Sequence, residues 1–434
     1  MRLLKQFLLL LVLLGAPAAP AAAAEPAPAL RQRAADLVPL FNGATPPAPL
    51  FAPSFLAAVP EAQVASIAAQ LRASYGAAKS VGTIEAANPW QGIVRFAFEK
   101  ATLRMSLAVD PAEPHLVTGL RIEGVEGGSD TARSVLAEIG ALPGLVSLSA
   151  ALLGDKEPPQ AVLALQPDRP MAVGSAFKLW VLAELAREVK AGERRWSDVA
   201  PLGPPSLPFG RLRSWPRGSP MTLHSLAAAM ISESDNTAAD TLLALLGREK
   251  VERLLPALGV GAAERDRPLL LTREAAALKA DAALRSRWLA AGPAGRRALL
   301  GGEVARADLA RIDLAALDTA PVAADQVEWF ASTSDLVRSL DWLRRAGDSD
   351  ALAILAINPG LPAAIADFYY AGYKGGSETG VLSLAFLLRR RDGRWLAVAV
   401  AWNDPAAKLD DNRLLLLMSR LLPLLARGEV ERLR

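Results

Sequence analysis

The chain reads as α+β in two domains: a small N-terminal helix-on-antiparallel-sheet domain, then a larger one whose antiparallel sheet comes from both of its ends and is covered by helices. Three observations predict this. Residues 30 to 124 run from helical to strand periodicity; a glycine-rich break, Gly124-Val125-Glu126-Gly127-Gly128-Ser129-Asp130, comes next; and residues 125 to 434 place strand patterns at either end of a long helical middle. A length of 434 residues, 52% hydrophobic and 21% charged, suits two globular domains.

Met1 to Ala24 has the form of a secretory signal: Arg2 and Lys5 at the start, an apolar run from Phe7 to Leu14, and Ala22-Ala23-Ala24 before Glu25. The alternative is a membrane anchor, but the run is well short of the roughly 20 residues a bilayer span needs, and Pro17 and Pro20 interrupt the residues after it. Cleavage between Ala24 and Glu25 is expected, giving a periplasmic or secreted protein with no stable membrane anchor. An Ala/Pro tail fills residues 25 to 29. The formal charge of +3 then loses Arg2 and Lys5, leaving 3 − 2 = +1, which offers no electrostatic case for nucleic acid. With no cysteine, disulfides and thiolate metal sites are excluded, and His115 and His224 alone make a histidine-rich metal site a poor expectation. No metal or other cofactor is called for.

In the small domain, Leu30 to Phe41 and Glu61 to Tyr75 carry apolar residues at helical spacing. Gln91 to Asp110 reads as strand and hairpin, and His115 to Glu123 alternates Leu116, Thr118, Leu120 and Ile122 against Val117 and Arg121. Nothing here looks catalytic; His115, after a proline, reads as structural. The larger domain opens with a helix over Thr131 to Leu142 and strands over Leu145 to Leu153 and Ala161 to Leu165. It closes with strands over Tyr373 to Arg389 and Trp395 to Trp402, joined by Arg391-Asp392-Gly393, and a helix over Lys408 to Leu425.

Three stretches carry chemistry. Ser175 and Lys178 stand three apart where an apolar helix begins, so both are expected on one face with the amine reaching the hydroxyl. The run Leu179 to Ala183 should bury that amine and lower its pKa toward the range of a useful base. Ser232-Glu233-Ser234-Asp235-Asn236 joins the helices Leu223 to Ile231 and Thr237 to Leu246, and reads either as a functional loop or as a set of helix caps. Tyr373-Lys374-Gly375-Gly376-Ser377-Glu378-Thr379-Gly380 opens a strand, where two glycines mark either a solvated turn or a close approach to the backbone.

In this order, S-x-x-K, S-D-N and K-G-G resemble the three signatures of class A β-lactamases and penicillin-binding proteins, in which the third is usually K-T-G. The continuation Asn236-Thr237-Ala238-Ala239-Asp240 is similar too, as is Leu258-Gly259 closing the next helix. The resemblance implies a β-lactamase/transpeptidase-like fold in residues 125 to 434. It makes Ser175 the acylated nucleophile, Lys178 its base or proton relay, Ser234 the shuttle to the leaving group and Lys374 a positive charge near a substrate carboxylate. Asn236 would hold a substrate amide. Gly376 and Ser377 would flank the substrate, the N–H groups of Ser175 and Ser377 forming the oxyanion hole. Gly375 replaces the family's threonine and removes a hydroxyl from the pocket floor. Phe209 and Trp215 either line the pocket mouth or plug the core.

Class A enzymes also carry an E-x-x-L-N glutamate that activates the deacylating water. Here that region reads Arg265-Asp266-Arg267-Pro268-Leu269-Leu270-Leu271-Thr272-Arg273-Glu274, with leucines where the acid would fall. Glu274 is the nearest candidate base, yet its place in the first turn of a helix also suits a carboxylate complementing the helix dipole. Lys279 to Asp325 reads as a helical insertion, and Asp335 as a capping acid. A small leading domain followed by a β-lactamase-like domain without that glutamate resembles the serine hydrolases exemplified by a protein of clavulanic acid gene clusters, whose leading domain is similar to steroid isomerases. No G-x-S-x-G, H-E-x-x-H, Walker or dinucleotide fingerprint occurs, and His224 lies in the helix before Ser234, away from any triad pattern. The expectation is an exported serine hydrolase acting on a β-lactam, ester or peptide-like small molecule and slow to deacylate β-lactams. A D-alanyl-D-alanine peptidase acting on peptidoglycan, or a weakly catalytic cell-envelope binding protein, are the alternatives.

Overall fold

Apolar residues alternate along two neighbouring stretches of the first unit, and both become strands, β2 (Gln91–Phe98) and β3 (Thr102–Val109). Their inward residues Val94, Phe96, Leu103, Met105 and Leu107 are buried. The computed structural model describes residues 25–126, 130–206, 210–261, 263–346, 348–362 and 364–429. The signal-like Met1 to Ala24, Gly127 to Ser129 of the glycine-rich break, and Phe209 with Pro208 lie outside the described residues. The described chain forms two compact units, one within residues 25–126 and one within 130–429.

The first unit runs α1 (Pro28–Phe41), α2 (Pro53–Ala58), α3 (Glu61–Tyr75), β1 (Ala78–Asn88), β2, β3 and β4 (Val117–Glu126). Its strands form an antiparallel sheet in sequence order. α1 packs on it through Leu37, Leu40 and Phe41, with the Phe41 ring edge-on to Phe96 at 5.2 Å. One strand was not foreseen, and one expectation needs correction. β1, mostly exposed and without apolar alternation, escapes a periodicity reading. Gly124, Val125 and Glu126, read as part of a break, continue β4 and pair with β3.

The second unit begins with α4 (Ala132–Gly140), capped reciprocally by Thr131 and Ser134, then β5 (Leu145–Leu153), β6 (Gln160–Leu165) and β7 (Met171–Ala172). A helical body comes next: α5 (Lys178–Lys190), the short pair β8 (Val199–Pro201) and β9 (Pro220–Thr222), α6 (Leu223–Ser232), α7 (Asn236–Leu246) and α8 (Arg248–Leu254). Lys279 to Asp325 is helical as expected, running from the end of α9 (Thr272–Ala280) through α10 (Ala282–Ala290), α11 (Pro293–Gly301) and α12 (Leu314–Thr319). After β10 (Phe330–Ala331), which pairs with β7, come α13 (Thr333–Ala346), α14 (Ser349–Ala356), β11 (Phe368–Glu378), β12 (Val381–Arg390), β13 (Trp395–Asn403) and α15 (Asp411–Ala426). The main sheet is antiparallel in the order β11-β12-β13-β5-β6, so both ends of the unit do contribute to it.

That sheet is buried on both faces. Val146, Leu148, Phe386, Val398 and Val400 meet α4 and α15, whereas Ala151, Ala385, Ala397 and Ala399 face the helical body. Alanines on the second face let α13 lie close to β5 and β13. α5 runs through the middle of that body with every residue from Lys178 to Ala186 buried. Each large apolar side chain so enclosed contributes roughly 1.5 to 3 kcal/mol, and the enclosure makes α5 a rigid mount for its first residue, Lys178.

Three boundaries differ from the sequence reading. A two-residue turn, Thr379-Gly380, divides Tyr373 to Arg389, with Gly380 at φ +82° and its Cα against the Asp404 carbonyl. β11 begins at Phe368, so Lys374 lies inside the strand and not at its start. α8 ends at Leu254, before Leu258-Gly259. Among the described residues no helix is long and apolar enough to cross a membrane.

Candidate active site

Ser175 sits in a single 3₁₀ turn, Gly174–Phe177, directly ahead of α5, and is partly exposed between buried neighbours. Gly174 adopts φ +48°, a left-handed conformation that a glycine takes without penalty. The turn is pinned from behind by Phe177, whose ring stacks on Trp329 at 4.1 Å, and by the Val173 N–H donating to the Trp329 carbonyl at 2.9 Å.

Lys178 is fully buried, and the structure redirects its amine. Nζ donates to the Ser234 carbonyl at 2.6 Å, to Asn236 Oδ1 at 2.7 Å and to Ser234 Oγ at 3.3 Å. The hydrogen bond expected between Lys178 and Ser175 is not formed: the Ser175 hydroxyl bonds to no other described residue, because the amine's donors are taken by the loop between α6 and α7. Burial pushes the Lys178 amine down to about 7, against the opposing carboxylates of Asp240 and Asp235.

Ser234 is brought to Lys178 by a strained junction. It adopts φ +56°, which costs a residue with a Cβ about 1 to 2 kcal/mol. The neighbouring bonds hold it there: Asp235 caps α7 by accepting from Ala238 N at 2.9 Å, accepts from Leu212 N at 2.8 Å, and donates its own N–H to the Ala229 carbonyl. The capping and the functional readings of this loop therefore describe the same residues. Lys374, 2% exposed, reaches Ser234 Oγ from β11 at 2.9 Å and the Gly375 carbonyl at 2.5 Å. Its amine is held well below the ordinary lysine range, first by burial and then by the charge at Lys178.

The two glycines after Lys374 have separate reasons. A Cβ on Gly376 would lie 2.1 Å from the Val173 carbonyl oxygen and 2.5 Å from the Ser175 nitrogen, so only glycine lets β11 touch the turn. The close approach to this strand is made by the turn itself, not only by a ligand. The same contact puts the Ser377 nitrogen 3.2 Å from where a Cβ on Gly174 would stand, so the Ser377 backbone lies beside the turn that carries Ser175. A Cβ on Gly375 would fall 2.1 Å from the Tyr373 hydroxyl: the phenol fills the space that a side chain at 375 would use.

Ser175, Asn236 and Ser377 line one cleft of about 360 Å³. Asn236 Oδ1 is already committed to Lys178. Trp215 is 43% exposed, and Phe209 lies outside the described residues. Glu274 is elsewhere: it accepts from Arg248 at 2.7 and 3.0 Å and from Leu271 N at 2.8 Å, a helix-terminal ion pair away from the cleft. Asp266 accepts from Phe330 N at 2.8 Å, and Leu269 and Leu270 are core. Asp335 caps α13 through Ser332 N at 2.9 Å, His115 stacks on Trp90, and His224 sits edge-on to Trp196.

The sequence reading missed a second ionic group in the cleft. Lys279 of α9 donates to Glu328 at 2.5 Å and contacts Glu378 at the end of β11. All three line the cleft with Ser175. Glu378 had a signal: counted in twos from Lys374 through Gly376, it falls on the same strand face. Glu328 and Lys279 had none, since they come from distant segments.

Residues 140–422 match the family model described as "Beta-lactamase enzyme family". Among solved structures, a beta-lactamase from Sphaerobacter thermophilus is 21% identical, with a TM-score of 0.47 over 68% of this chain and 96% of that one. A beta-lactamase from Chitinophaga pinensis is 17% identical, with a TM-score of 0.47 over 69% and 99%. The structure titled PBP-A is 14% identical, with a TM-score of 0.48 over 68% and 94%. No curated protein matches this chain.

Proposed function

The chain belongs to the Beta-lactamase enzyme family, matched over residues 140–422, and from that premise we propose that it is an exported serine hydrolase that acylates Ser175 with a β-lactam, ester or peptide-like substrate. The observation that carries this reading is the meeting of Lys178 and Lys374 on the single hydroxyl of Ser234, beside a turn that presents Ser175 to a cleft. Such an arrangement can move a proton from a serine hydroxyl to a leaving group. Lys178, in its neutral form, takes the Ser175 proton on its nitrogen lone pair, and Ser234 passes a proton to the departing amine or alcohol. The Ser175 and Ser377 N–H groups oppose the charge on the tetrahedral oxygen, each worth about 3 kcal/mol in such sites.

β-Lactam acyl groups are released slowly in this reading. Their amine leaving group stays tethered and obstructs water, and the segment from Arg265 to Glu274 places no acid in the cleft. An ester's alcohol diffuses away, so esters turn over better. The small leading domain, helices on a four-stranded antiparallel sheet, is proposed as steroid-isomerase-like, as in the hydrolases of clavulanic acid gene clusters. Export rests on the signal-like residues 1 to 24. A D-alanyl-D-alanine peptidase and a weakly catalytic binder remain the alternative outcomes.

Intact-mass measurement after mixing with a penicillin and with an activated ester tests the reading. A penicilloyl adduct that persists, together with turnover of the ester, is the expected result, and Ser175→Ala should form neither. Labelling of Ser175→Ala at the wild-type level would sink it.

A further inference from the structure

Breaking an acyl-enzyme needs a water molecule that loses a proton as it attacks, and the segment between Arg265 and Glu274 is occupied otherwise. Leu269 and Leu270 are core, Asp266 holds the Phe330 amide and Glu274 holds Arg248. A carboxylate reaches the cleft from another element. Along β11, Lys374, Gly376 and Glu378 share one face. Gly376 touches the Ser175 turn, so the nucleophile lies between a lysine on one side and a glutamate on the other, their Cα atoms about 13 Å apart along the strand.

Glu378 is the more open of the two acids in this group, with 29% of its side chain exposed against 1% for Glu328. Lys279 bridges them, and Asp318, Lys408 and Asp411 are the other charged groups that line the cleft. A buried lysine needs one carboxylate to be paired. Here a second faces the space in front of Ser175, and burial together with the nearby Glu328 pushes its carboxyl well above the usual carboxylate range, with Lys279 opposing. A carboxylate so raised takes up a proton more readily than an ordinary one.

We propose that Glu378 is the general base of deacylation, with Lys279 and Glu328 as its positioning residues; the proposal rests on the serine-hydrolase reading above. The water oxygen bonds to the acyl carbonyl carbon while one of its protons passes to Glu378, and the Ser175 and Ser377 amides hold the resulting oxyanion. The bond from carbon to Ser175 Oγ then breaks as Glu378 returns the proton to Oγ. One water is consumed; the products are a carboxylic acid and free Ser175. The substrates served are esters whose alcohol has already left, which clears the approach for water.

The test uses the full chain and p-nitrophenyl acetate. Wild type should release a burst of nitrophenolate and then turn over. Glu378→Gln should keep the burst and lose about 10²- to 10⁴-fold in the steady-state rate. Its Ser175 acyl adduct should persist by mass, and added hydroxylamine should discharge it. The wild-type deacylation rate should rise with pH through one ionisation that is absent from Glu378→Gln. Glu328→Gln, which removes a neighbouring negative charge, should move that ionisation to lower pH. Turnover of Glu378→Gln at the wild-type rate would overturn the proposal. Should that variant not fold, an unmoved ionisation in Glu328→Gln would overturn it equally. Absence of any burst from wild type would instead remove the serine-hydrolase reading on which the proposal stands.

Discussion

Lys374 Nζ donates to Ser234 Oγ at 2.9 Å while Lys178 Nζ lies 3.3 Å from the same oxygen. A hydroxyl has two lone pairs and one proton, so while both amines donate to it the Ser234 O–H is left for a third group. The lysines thus orient a proton donor before any substrate arrives, and each can act only in the protonation state its burial permits.

Acylation should rise with pH through an ionisation near 7, because burial lowers the Lys178 amine to about 7 and its neutral form is the base. The sign is set by the direction of that shift: below it the amine carries the proton it must accept. Lys178→Ala should lose the pH dependence and about 10²- to 10⁴-fold in acylation rate. Stopped-flow acylation by an activated ester between pH 5 and 9 (a range bracketing the unperturbed histidine value of about 6.5) measures it. A variant that acylates as fast as wild type throughout would exclude the amine as base.

Ser234→Gly and Ser234→Ala should both lose acylation, having lost the hydroxyl, yet differ in stability. At φ +56° alanine keeps the Cβ penalty and glycine does not, so the glycine variant should be about 1 kcal/mol the more stable in urea denaturation. Equal midpoints would mean that the conformation is not strained.

Much of this site could be read from the chain, and the limits have physical causes. Each of the three motifs is a short segment whose own geometry does part of the work, which is why Ser175, Ser234 and Lys374 could be named from spacing and resemblance. Side-chain reach is different. Ser175 and Lys178 share a helical face in principle, but the carbonyl of Ser234 and the amide of Asn236 compete for the amine and win it. Periodicity recovered β5, α1 and α3 because their apolar faces are buried, and passed over β1, which has little to bury. Lys279, Glu328 and Glu378 meet only through tertiary folding, and a periodicity reading is blind to that.

Gly376→Ala should disable the enzyme without touching a reacting group. The added methyl would stand 2.1 Å from the Val173 oxygen and 2.5 Å from the Ser175 nitrogen, against backbone that cannot rotate away. Displacing the turn by part of an ångström should cost acylation about 10²-fold. A lowered melting temperature should accompany the loss. Wild-type kinetics in this variant would show that the strand and turn are not in contact.

Glu274→Gln should cost stability and leave turnover intact. Its carboxylate holds Arg248 and the Leu271 amide, and losing one member of such a pair costs roughly 2 kcal/mol. Denaturation midpoints and steady-state turnover of p-nitrophenyl acetate, run side by side, separate the two effects. Loss of turnover at unchanged stability would restore Glu274 as a candidate base.

Tyr373 and Gly375 bear on which neighbouring sequences this protein can reach. With the phenol occupying the space beside Gly375, a threonine at 375 would displace the Tyr373 side chain, since its Cβ would meet the Tyr373 hydroxyl at 2.1 Å and the ring carbon behind it at 2.8 Å. Exchanging K-G-G for K-T-G therefore couples to residue 373, whose side chain has to move or shrink to make room. The glycine that looks like a lost family residue thus shares its space with the neighbour two places upstream, and the two positions are expected to vary together.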